Sequence, residues 1–341
     1  MKKKSTFRKF IEGRAFLLIV LAVIVLVVTY AVQAKAFTRG NMSQIMANLS
    51  YLGIITIGIA CLLVGGGFDF STSAHATVGI LIFAQLLQWF PGLPWPVAML
   101  GTLAFGIIAG LINAFFSEGL KLMAFICTIG MQSVWNGLSM WYTRGNMMPI
   151  YRPGFVNIAT LYVAGSPVPW TFVFMLLIVV LYSFTLKWTR FGRSVLMSGG
   201  NPNAARLAGL KPPRIRTILF VNNGILAGVA GLIWASQQKM ASAQGLIQGT
   251  PEMTALTAAI LGGVSFVGGA GNLGGAFFGC VLIQILQYAL QSMGLQLWFV
   301  TLVNGMLLVI ALGIDNINTR RRTKGMGGGI GGNMGVPGMS R

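Results

Sequence analysis

Long apolar runs, broken by short polar segments, recur from one end of the chain to the other. A bilayer core about 30 Å thick needs roughly 20 apolar residues in each helix, and a helix satisfies its own backbone hydrogen bonds in lipid. The pattern therefore predicts an all-α, polytopic membrane protein. We predict ten transmembrane helices, at residues 15–34, 43–64, 73–90, 97–116, 122–141, 169–187, 217–236, 253–269, 273–291 and 296–314.

Composition agrees with a membrane protein. The 341 residues are 55% hydrophobic and 9% charged, whereas a soluble domain carries roughly 25% charged residues. The net charge of +19 is also typical of nucleic-acid-binding proteins. Here the basic residues lie between the apolar runs and at the chain ends, where they set membrane orientation, so we expect no nucleic acid among the partners.

The distribution of Lys and Arg predicts the orientation. Ten spans place both termini on one side, and if that side is the cytoplasm, 19 of the 24 basic residues lie inside and 5 outside, as the positive-inside rule requires. This gives a basic cytoplasmic amino terminus at 1–14 and a transmembrane domain at 15–315 with a cytoplasmic loop at about 188–216. A basic, Gly- and Met-rich cytoplasmic tail follows at 316–341, which we expect to be disordered.

The first apolar run has a second interpretation. It follows a basic stretch and precedes the small-residue triplet Ala34–Ala36, which is typical of a signal-peptide cleavage site. The run is longer than the roughly 7–15 residues of a signal-peptide core. We therefore favour an uncleaved span.

Glycine-rich breaks interrupt the apolar pattern at similar places in the two halves of the chain. Leu63–Asp69 contains three consecutive glycines, and Ile260–Phe266 contains two. Paired breaks of this kind indicate two pseudo-repeated halves around a transport pathway. The alternative is that these glycines only allow the helices to pack closely.

Residues suited to catalysis or cofactor binding are scarce. No Gly-x-x-x-x-Gly-Lys-Ser/Thr phosphate-binding loop occurs, and Gly269–Gly274 matches Gly-x-Gly-x-x-Gly without the acid that a dinucleotide site needs roughly 20 positions later. His75 is the single histidine, the five acids are far apart in sequence, and the three cysteines lack metal or redox spacing. We predict a non-catalytic chain that binds no metal and no cofactor of its own.

Asp69 is the acid with the most informative position. It lies in a glycine-rich break between apolar runs, where a carboxylate needs water, a partner or a solute. It also precedes Ser71 and an apolar run, which is the ordinary start of a helix that Asp69 would cap. We favour the cap and keep Asp69 as a pathway candidate.

Amide side chains within the predicted spans are the other polar candidates. Facing a cavity, they could hydrogen-bond the hydroxyl groups of a sugar. Facing another helix, each would contribute roughly 0.6–2 kcal/mol of interhelical hydrogen bonding, which is the commoner role. Eight occur: Asn113, Gln132, Asn136, Asn222, Asn223, Gln284, Gln287 and Asn304. Our candidates for a substrate pathway are Asp69, Asn113, Gln132, Asn136 and Asn304.

The cytoplasmic loop contains the pattern of a short exposed helix. Asn201 or Asn203 can cap it with Pro202 in its first turn, and Gly209 can end it in the left-handed conformation. Seven basic residues flank it. The loop is either a positive-inside connection or a docking site for a soluble protein.

At this segment the chain resembles the membrane subunits of ribose-type ATP-binding-cassette (ABC) importers, in the branched-chain amino acid/ribose permease superfamily. The family pattern is Gly-Arg, then Gly-Gly-Asn, then Ala-Ala-Arg-Leu-x-Gly, and it lies here between Gly192 and Leu210. Stretches beginning at Gly65, Phe125 and Ala258 are also similar, so the resemblance extends over about 40–315.

The resemblance implies a permease subunit of a bacterial plasma (inner) membrane importer for a small polar solute, a simple sugar. It implies a second permease subunit, identical or a sister chain, and an extracytoplasmic solute-binding protein. It also implies cytoplasmic ATPase subunits, which bind the ATP-Mg. The loop helix would then couple to the ATPase through Gly199, Gly200, Asn201, Asn203, Ala204, Ala205, Arg206, Leu207 and Gly209.

The chain departs from the family pattern after Ser71, where Thr72–His75 replaces a continuation of the Val-Gly-Ser type. This departure concerns the pathway, and therefore the solute, and not the class of transporter. A nucleoside, a branched-chain amino acid or another small solute is the alternative. The alternative classes of membrane protein are a secondary transporter or channel, an intramembrane enzyme and a structural scaffold.

Overall fold

The computed structural model describes residues 14–33 and 38–327 and is mostly helical. Two short strands, β1 (Met148–Pro149) and β2 (Met240–Ala241), pair antiparallel. A π-helical turn at Phe115–Gly119 directly follows α4. The α-helices of the described residues are α1 (Arg14–Val32), α2 (Arg39–Val64), α3 (Thr72–Trp89), α4 (Trp95–Ala114), α5 (Ala124–Thr143), α6 (Pro153–Val156), α7 (Trp170–Trp188), α8 (Arg190–Gly200), α9 (Pro202–Leu207), α10 (Pro212–Gln238), α11 (Pro251–Leu261), α12 (Leu273–Ser292) and α13 (Leu297–Gly327).

Helices lie at all ten segments that hydropathy predicted to be transmembrane. Within the described residues, five are long and apolar enough to cross a membrane: α2, α4 with its π-turn, α7, α10 and α12. Shorter apolar helices cover Leu18–Ala31 and Trp298–Gly313. The helical, membrane-spanning character is confirmed at this level. The number of ten crossings and the cytoplasmic position of both termini stay predictions.

The two ends of the bundle carry different segments. One end carries α8, α9 and the loop 262–272, and we call it the inner end because it is predicted to face the cytoplasm. The opposite, outer end carries β1 and β2, where Met148 lies opposite Ala241.

Helix α11 is the main departure from the predicted spans. It ends at Leu261 and not at 269, and its 11 residues make a helix of about 17 Å, roughly half of a bilayer core. A Cβ on Gly262 would lie 2.3 Å from the carbonyl of Gly275 in α12, and Gly263 has φ of +96°. Hydropathy treats these glycines as part of an apolar run, whereas here they end the helix.

Helix α10 packs against α2, α3 and α4 at the centre of the bundle. Its contact with α4 is between backbones: a Cβ on Gly224 would lie 2.0 Å from the carbonyl oxygen of Gly106, and one on Gly110 would lie 2.5 Å from that of Phe220. Small residues allow membrane helices to approach this closely. The crossing holds α4 and α10 in a fixed register, which places Asn113 beside the same loop as Asn223.

The predictions for the chain ends fall partly outside the described residues, which exclude 1–13, 34–37 and 328–341. At the carboxyl end, α13 continues to Gly327, beyond the boundary predicted at 316. Arg and Lys are good helix formers and favour the carboxyl end of a helix dipole. The first part of the expected disordered tail is therefore helical.

Candidate functional site

The break between α2 and α3 is held by a buried carboxylate. Asp69 is 2% exposed, and its Oδ1 accepts hydrogen bonds from the Ser71 backbone N–H at 2.8 Å, the Ser71 hydroxyl at 2.6 Å and Asn113 Nδ2 at 3.1 Å. Its Oδ2 accepts one from Asn223 Nδ2 at 3.0 Å. Three of these four donors converge on Oδ1 and one bonds Oδ2, so both oxygens are engaged. Asp69 therefore ties the break to both α4 and α10.

The role of Asp69 is close to the cap that we favoured, but it differs in detail. Its bond to the N–H of Ser71 orders the turn before α3, and does not reach the N–H groups of the first helical turn. Asn223 Nδ2 reinforces the same turn by donating to Thr72 Oγ1 at 2.9 Å. A buried carboxylate with both oxygens bonded to the chain itself offers little to a solute, so the geometry favours the structural role.

His75 lies at the edge of the Asp69 cluster. Its Nε2 is 3.0 Å from the Ser71 hydroxyl, and its Nδ1 is 3.9 Å from Asp69 Oδ2. The imidazole ring is edge-on to Phe105 and Trp135, at centroid distances of 6.5 and 6.4 Å. His75 thus connects the Asp69 cluster to the side chains of α5.

Gln132 and Asn136 belong to a second polar cluster. Gln132 Nε2 donates to Oε1 of Glu252 at 3.0 Å, and Glu252, at the start of α11, is 3% exposed. Asn136 follows Gln132 by one turn on the same face of α5. The last pathway candidate, Asn304, is half-buried on α13, a helix that packs against α11 and α12. The five candidates therefore divide between two clusters and one separate position.

The short helix predicted in the cytoplasmic loop is present as α9. Asn201 Oδ1 accepts hydrogen bonds from the backbone N–H groups of Asn203 and Ala204 at 3.1 and 3.0 Å. Asn201 is therefore the cap, and Asn203 lies in the first turn. Gly209, with φ of +79°, follows the helix in the left-handed conformation, and the N–H of Leu210 bonds back to helix α9.

The outward face of α9 exposes an apolar side chain beside a cation. Leu207 is 92% exposed, more than any other large hydrophobic side chain among the described residues. Arg206 is exposed next to it and donates to Asn203 Oδ1 at 3.0 Å, while Ala205 on the other side is buried. An exposed leucine beside an arginine offers an apolar and a cationic contact to a partner protein.

Gly199 and Gly200, at the end of α8, connect α9 to the two glycine-rich breaks. A Cβ on Gly199 would lie 1.9 Å from the carbonyl oxygen of Val64, and one on Gly269 would lie 2.2 Å from Gly200 Cα. Gly66 also contacts this point, since a Cβ on it would lie 3.3 Å from Gly199 Cα. The α2–α3 break therefore meets the α11–α12 loop, which continues the second predicted break beyond Phe266, and the segment before α9 touches both.

An ion pair anchors the chain after it leaves α9. Arg216, in the first turns of α10, has its Nε 2.7 Å from Glu118 Oε1, and its Nη2 donates to Oε2 at 2.8 Å. The side chains are 20% and 11% exposed. Glu118 lies in the π-helical turn after α4, so the pair holds α4 and α10 together at the inner end.

Two contributors to these clusters, Asn223 and Glu252, could not be singled out from the sequence. Asn223 was one of eight amides with nothing to distinguish it, because its partner Asp69 is 154 positions away. Glu252 is one of the five acids that lie far apart in sequence, and its partner Gln132 is 120 positions away. An acid directly before an apolar run was the available signal for Glu252.

The chemistry of both clusters is hydrogen bonding. Among residues 14–33 and 38–327, no group of three or more His, Cys, Asp or Glu side chains is placed to hold a metal ion. Cys61, Cys127 and Cys280 are free thiols. The arrangement can position helices and bind polar groups of a solute.

Comparison with known proteins identifies relatives of the chain. A family model described as "Branched-chain amino acid transport system / permease component" matches residues 41–312, more than half of the chain. The chain is 28% identical to the galactose/methyl galactoside import permease protein MglC of Salmonella typhimurium, over 94% of this chain and 99% of the relative. It is 27% identical to the autoinducer 2 import system permease protein LsrC of Salmonella typhi, over 90% of this chain and 87% of that protein. No solved structure matches the chain.

Proposed function

The chain belongs to the branched-chain amino acid transport system permease family, and from this premise we propose that it is the membrane-spanning permease subunit of an ABC importer. It forms the translocation pathway for a small polar solute, and that solute is a simple sugar. The relatives support this, because they are import permeases and one of them serves galactose and methyl galactoside. A nucleoside or a branched-chain amino acid is the alternative solute.

The protein is a multi-pass protein of the bacterial inner membrane. Five helices with the length and apolar character to span a bilayer support this placement. In the full proposal the chain crosses ten times, and both termini lie in the cytoplasm. The half-length helix α11 makes its crossing together with the segments on either side of it.

The chain takes part in transport and does not hydrolyse ATP. In the proposed complex, two cytoplasmic ATPase subunits bind ATP-Mg and hydrolyse ATP. An extracytoplasmic solute-binding protein delivers the solute, and a second permease subunit, identical or a sister chain, completes the pathway. The lack of a phosphate-binding loop in the sequence and the exposed face of α9 support this division of labour.

The position of α9 is the observation that carries the proposal. Its outward face presents Leu207 and Arg206 to a partner, while the residue pair that precedes it, Gly199 and Gly200, contacts both glycine-rich breaks. A partner that displaces α9 therefore displaces the α2–α3 and α11–α12 connections together. Alternating access needs such a link between a soluble motor and the membrane helices.

Alternating access follows from this link. When ATP closes the ATPase subunits, α9 moves with them and pushes on the two breaks through the glycine contacts. Asp69 passes the movement of the α2–α3 break to α4 and α10, because it is hydrogen-bonded to Asn113 and Asn223. The equilibrium between outward- and inward-open states then shifts with the nucleotide state.

Reconstitution with the ATPase and the solute-binding protein in liposomes tests the proposal. We expect ATP-dependent uptake of galactose. We expect Arg206→Glu to abolish copurification of the ATPase, and the matched charge reversal Arg39→Glu, at the other end of the bundle, to leave it intact. Gradient-driven uptake by the chain without any ATPase would identify a secondary transporter and overturn the proposal.

A further inference from the structure

Glu252 is a buried acid with one unused oxygen. Its Oε1 accepts the hydrogen bond from Gln132, but its Oε2 is buried and has no hydrogen-bond partner among the described residues. Leaving a carboxylate oxygen without a donor is costly in the low-dielectric interior of a membrane protein. This oxygen is therefore available for a donor from outside the chain.

Other unpartnered polar atoms surround the same carboxylate. Ser73 of α3 approaches Glu252 closely enough to interact with it, but neither the buried Ser73 hydroxyl nor Glu252 Oε2 completes a well-formed hydrogen bond within the described residues, and the Thr77 hydroxyl one turn later is also unpartnered. On α5, Asn136 Oδ1 and Trp135 Nε1 are likewise buried and unpartnered in the part of the chain that the structure describes. Buried polar groups are almost always hydrogen-bonded in native proteins, so this concentration points to a missing ligand.

The three contributing helices bring these atoms together. Ser73 and Thr77 share a face of α3, and Gln132 and Asn136 share a face of α5, because residues four apart lie above one another on a helix. The Gln132–Glu252 bond joins α5 to α11, and Ser73 brings α3 to the same carboxylate. The unpartnered atoms therefore face one region between α3, α5 and the start of α11.

This region lies at half the height of the bundle. Gln132 is near the midpoint of α5, a helix of 20 residues, and its bond to Glu252 places the start of α11 at that depth. Discontinuous helices that begin or end near the bilayer midplane are where transporters bind their solutes. The amino-terminal end of α11 therefore lies at the depth where such a site is expected.

The side chains indicate the chemical class of the ligand. A carboxylate, two amides and two hydroxyls can bond several hydroxyl groups at once, and the Trp135 ring, packed edge-on to Phe105 at 5.1 Å, offers an apolar surface to C–H groups. The carboxylates of Glu252 and Asp69 would repel an anionic solute. The carboxylate of a zwitterionic solute would be repelled in the same way, and none of these side chains is a cation that could pair with it.

We propose that Glu252, Gln132, Ser73 and Asn136 form an intramembrane binding site for an uncharged, polyhydroxylated solute, with Trp135 as its apolar wall. This assignment rests on the proposed importer function and adds to it the place and the chemistry of the solute site.

Solute preference in the reconstituted complex tests the site. Galactose is compared with deoxygalactoses that the binding protein still delivers. We expect the wild type to import galactose at least about tenfold faster than the deoxygalactose that lacks the hydroxyl donated to Glu252. Glu252→Gln should reduce galactose uptake per ATP hydrolysed by about tenfold and remove this preference. Gln287→Ala, a mid-span amide on α12, is the matched control and should change neither quantity.

Ser73→Ala and Asn136→Ala provide a second measurement if Glu252→Gln fails to assemble. Both are small truncations, and each should reduce the preference for galactose, a change that a purely structural role does not produce. If these variants keep the preference for galactose and the uptake per ATP hydrolysed, the proposed site is wrong, whereas the proposed importer function is unaffected. Import of carboxylated solutes by the wild type would do the same. If the wild-type complex imports nothing with ATP, the proposed function itself is wrong.

Discussion

The backbone N–H of Gly269 donates a hydrogen bond of 2.9 Å to the carbonyl oxygen of Val64. Val64 is the last residue of α2, and Gly269 lies in the loop between α11 and α12, so this bond joins the two glycine-rich breaks directly. Gly199 occupies the space beside the same carbonyl oxygen. A change in any one of the three segments must therefore be accommodated by the other two.

Gly199→Ala is expected to destabilise the protein far more than Gly200→Ala. The added methyl group would lie 1.9 Å from the Val64 carbonyl oxygen in the first case, and 3.5 Å from the nearest atom, Gly269 Cα, in the second. Overpacking against backbone costs about 3 kcal/mol, whereas an ordinary van der Waals contact costs little. Thermal unfolding of the detergent-solubilised protein measures both. Equal melting temperatures for the two variants would mean that the breaks separate easily.

Asn223→Ala should likewise destabilise the protein more than Asn222→Ala, although the two residues are neighbours. The first change removes a donor from the buried Asp69 carboxylate and one from Thr72, and leaving a buried charge short of a donor costs about 2–4 kcal/mol. Asn222→Ala removes the neutral acceptor of the Tyr182 hydroxyl, which costs about 1 kcal/mol. The same unfolding assay distinguishes them, and a reversed order would show that Asp69 does not depend on Asn223.

The sequence predicted the positions of the helices well because membrane spans depend on local composition. The apolar runs, the Asn201 cap and Gly209 at the end of α9 are all encoded within a few residues of the elements they define. The end of α11 was missed for a physical reason. In the sequence, Gly262 lies within an apolar run. Only its contact with Gly275 of α12 shows that the helix ends there.

The polar clusters could be predicted only in part. The sequence identified Asp69, Asn113, Gln132 and Asn136 as polar groups in apolar surroundings, and the structure places them in two clusters. Which groups meet depends on how the helices pack, and the partners are up to 154 positions apart. A single sequence contains no signal that links such distant residues.

Leu207→Ala should weaken binding of the ATPase without affecting the fold. Because Leu207 is 92% exposed, its truncation should change the free energy of unfolding by less than about 0.5 kcal/mol. At the centre of a docking surface, the loss of such a side chain reduces affinity by about tenfold or more. Titration of the purified ATPase onto the detergent-solubilised chain measures this effect. Leu161→Ala, an exposed leucine near the other end of the bundle, is the control, and equal affinities for both variants would place the dock elsewhere.

Reversal of the Glu118–Arg216 pair provides a test of the anchor at the inner end. Glu118→Arg and Arg216→Glu should each destabilise the protein by about 1–3 kcal/mol, because each places two like charges in a partly buried contact. The double variant restores opposite charges and should recover a large part of that loss. Thermal unfolding of the four proteins gives the coupling free energy through a double-mutant cycle. Arg214→Glu, an exposed neighbour, should have little effect. Additive losses in the double variant would show that the two side chains are not coupled, and that other contacts hold α4 and α10 together at this end.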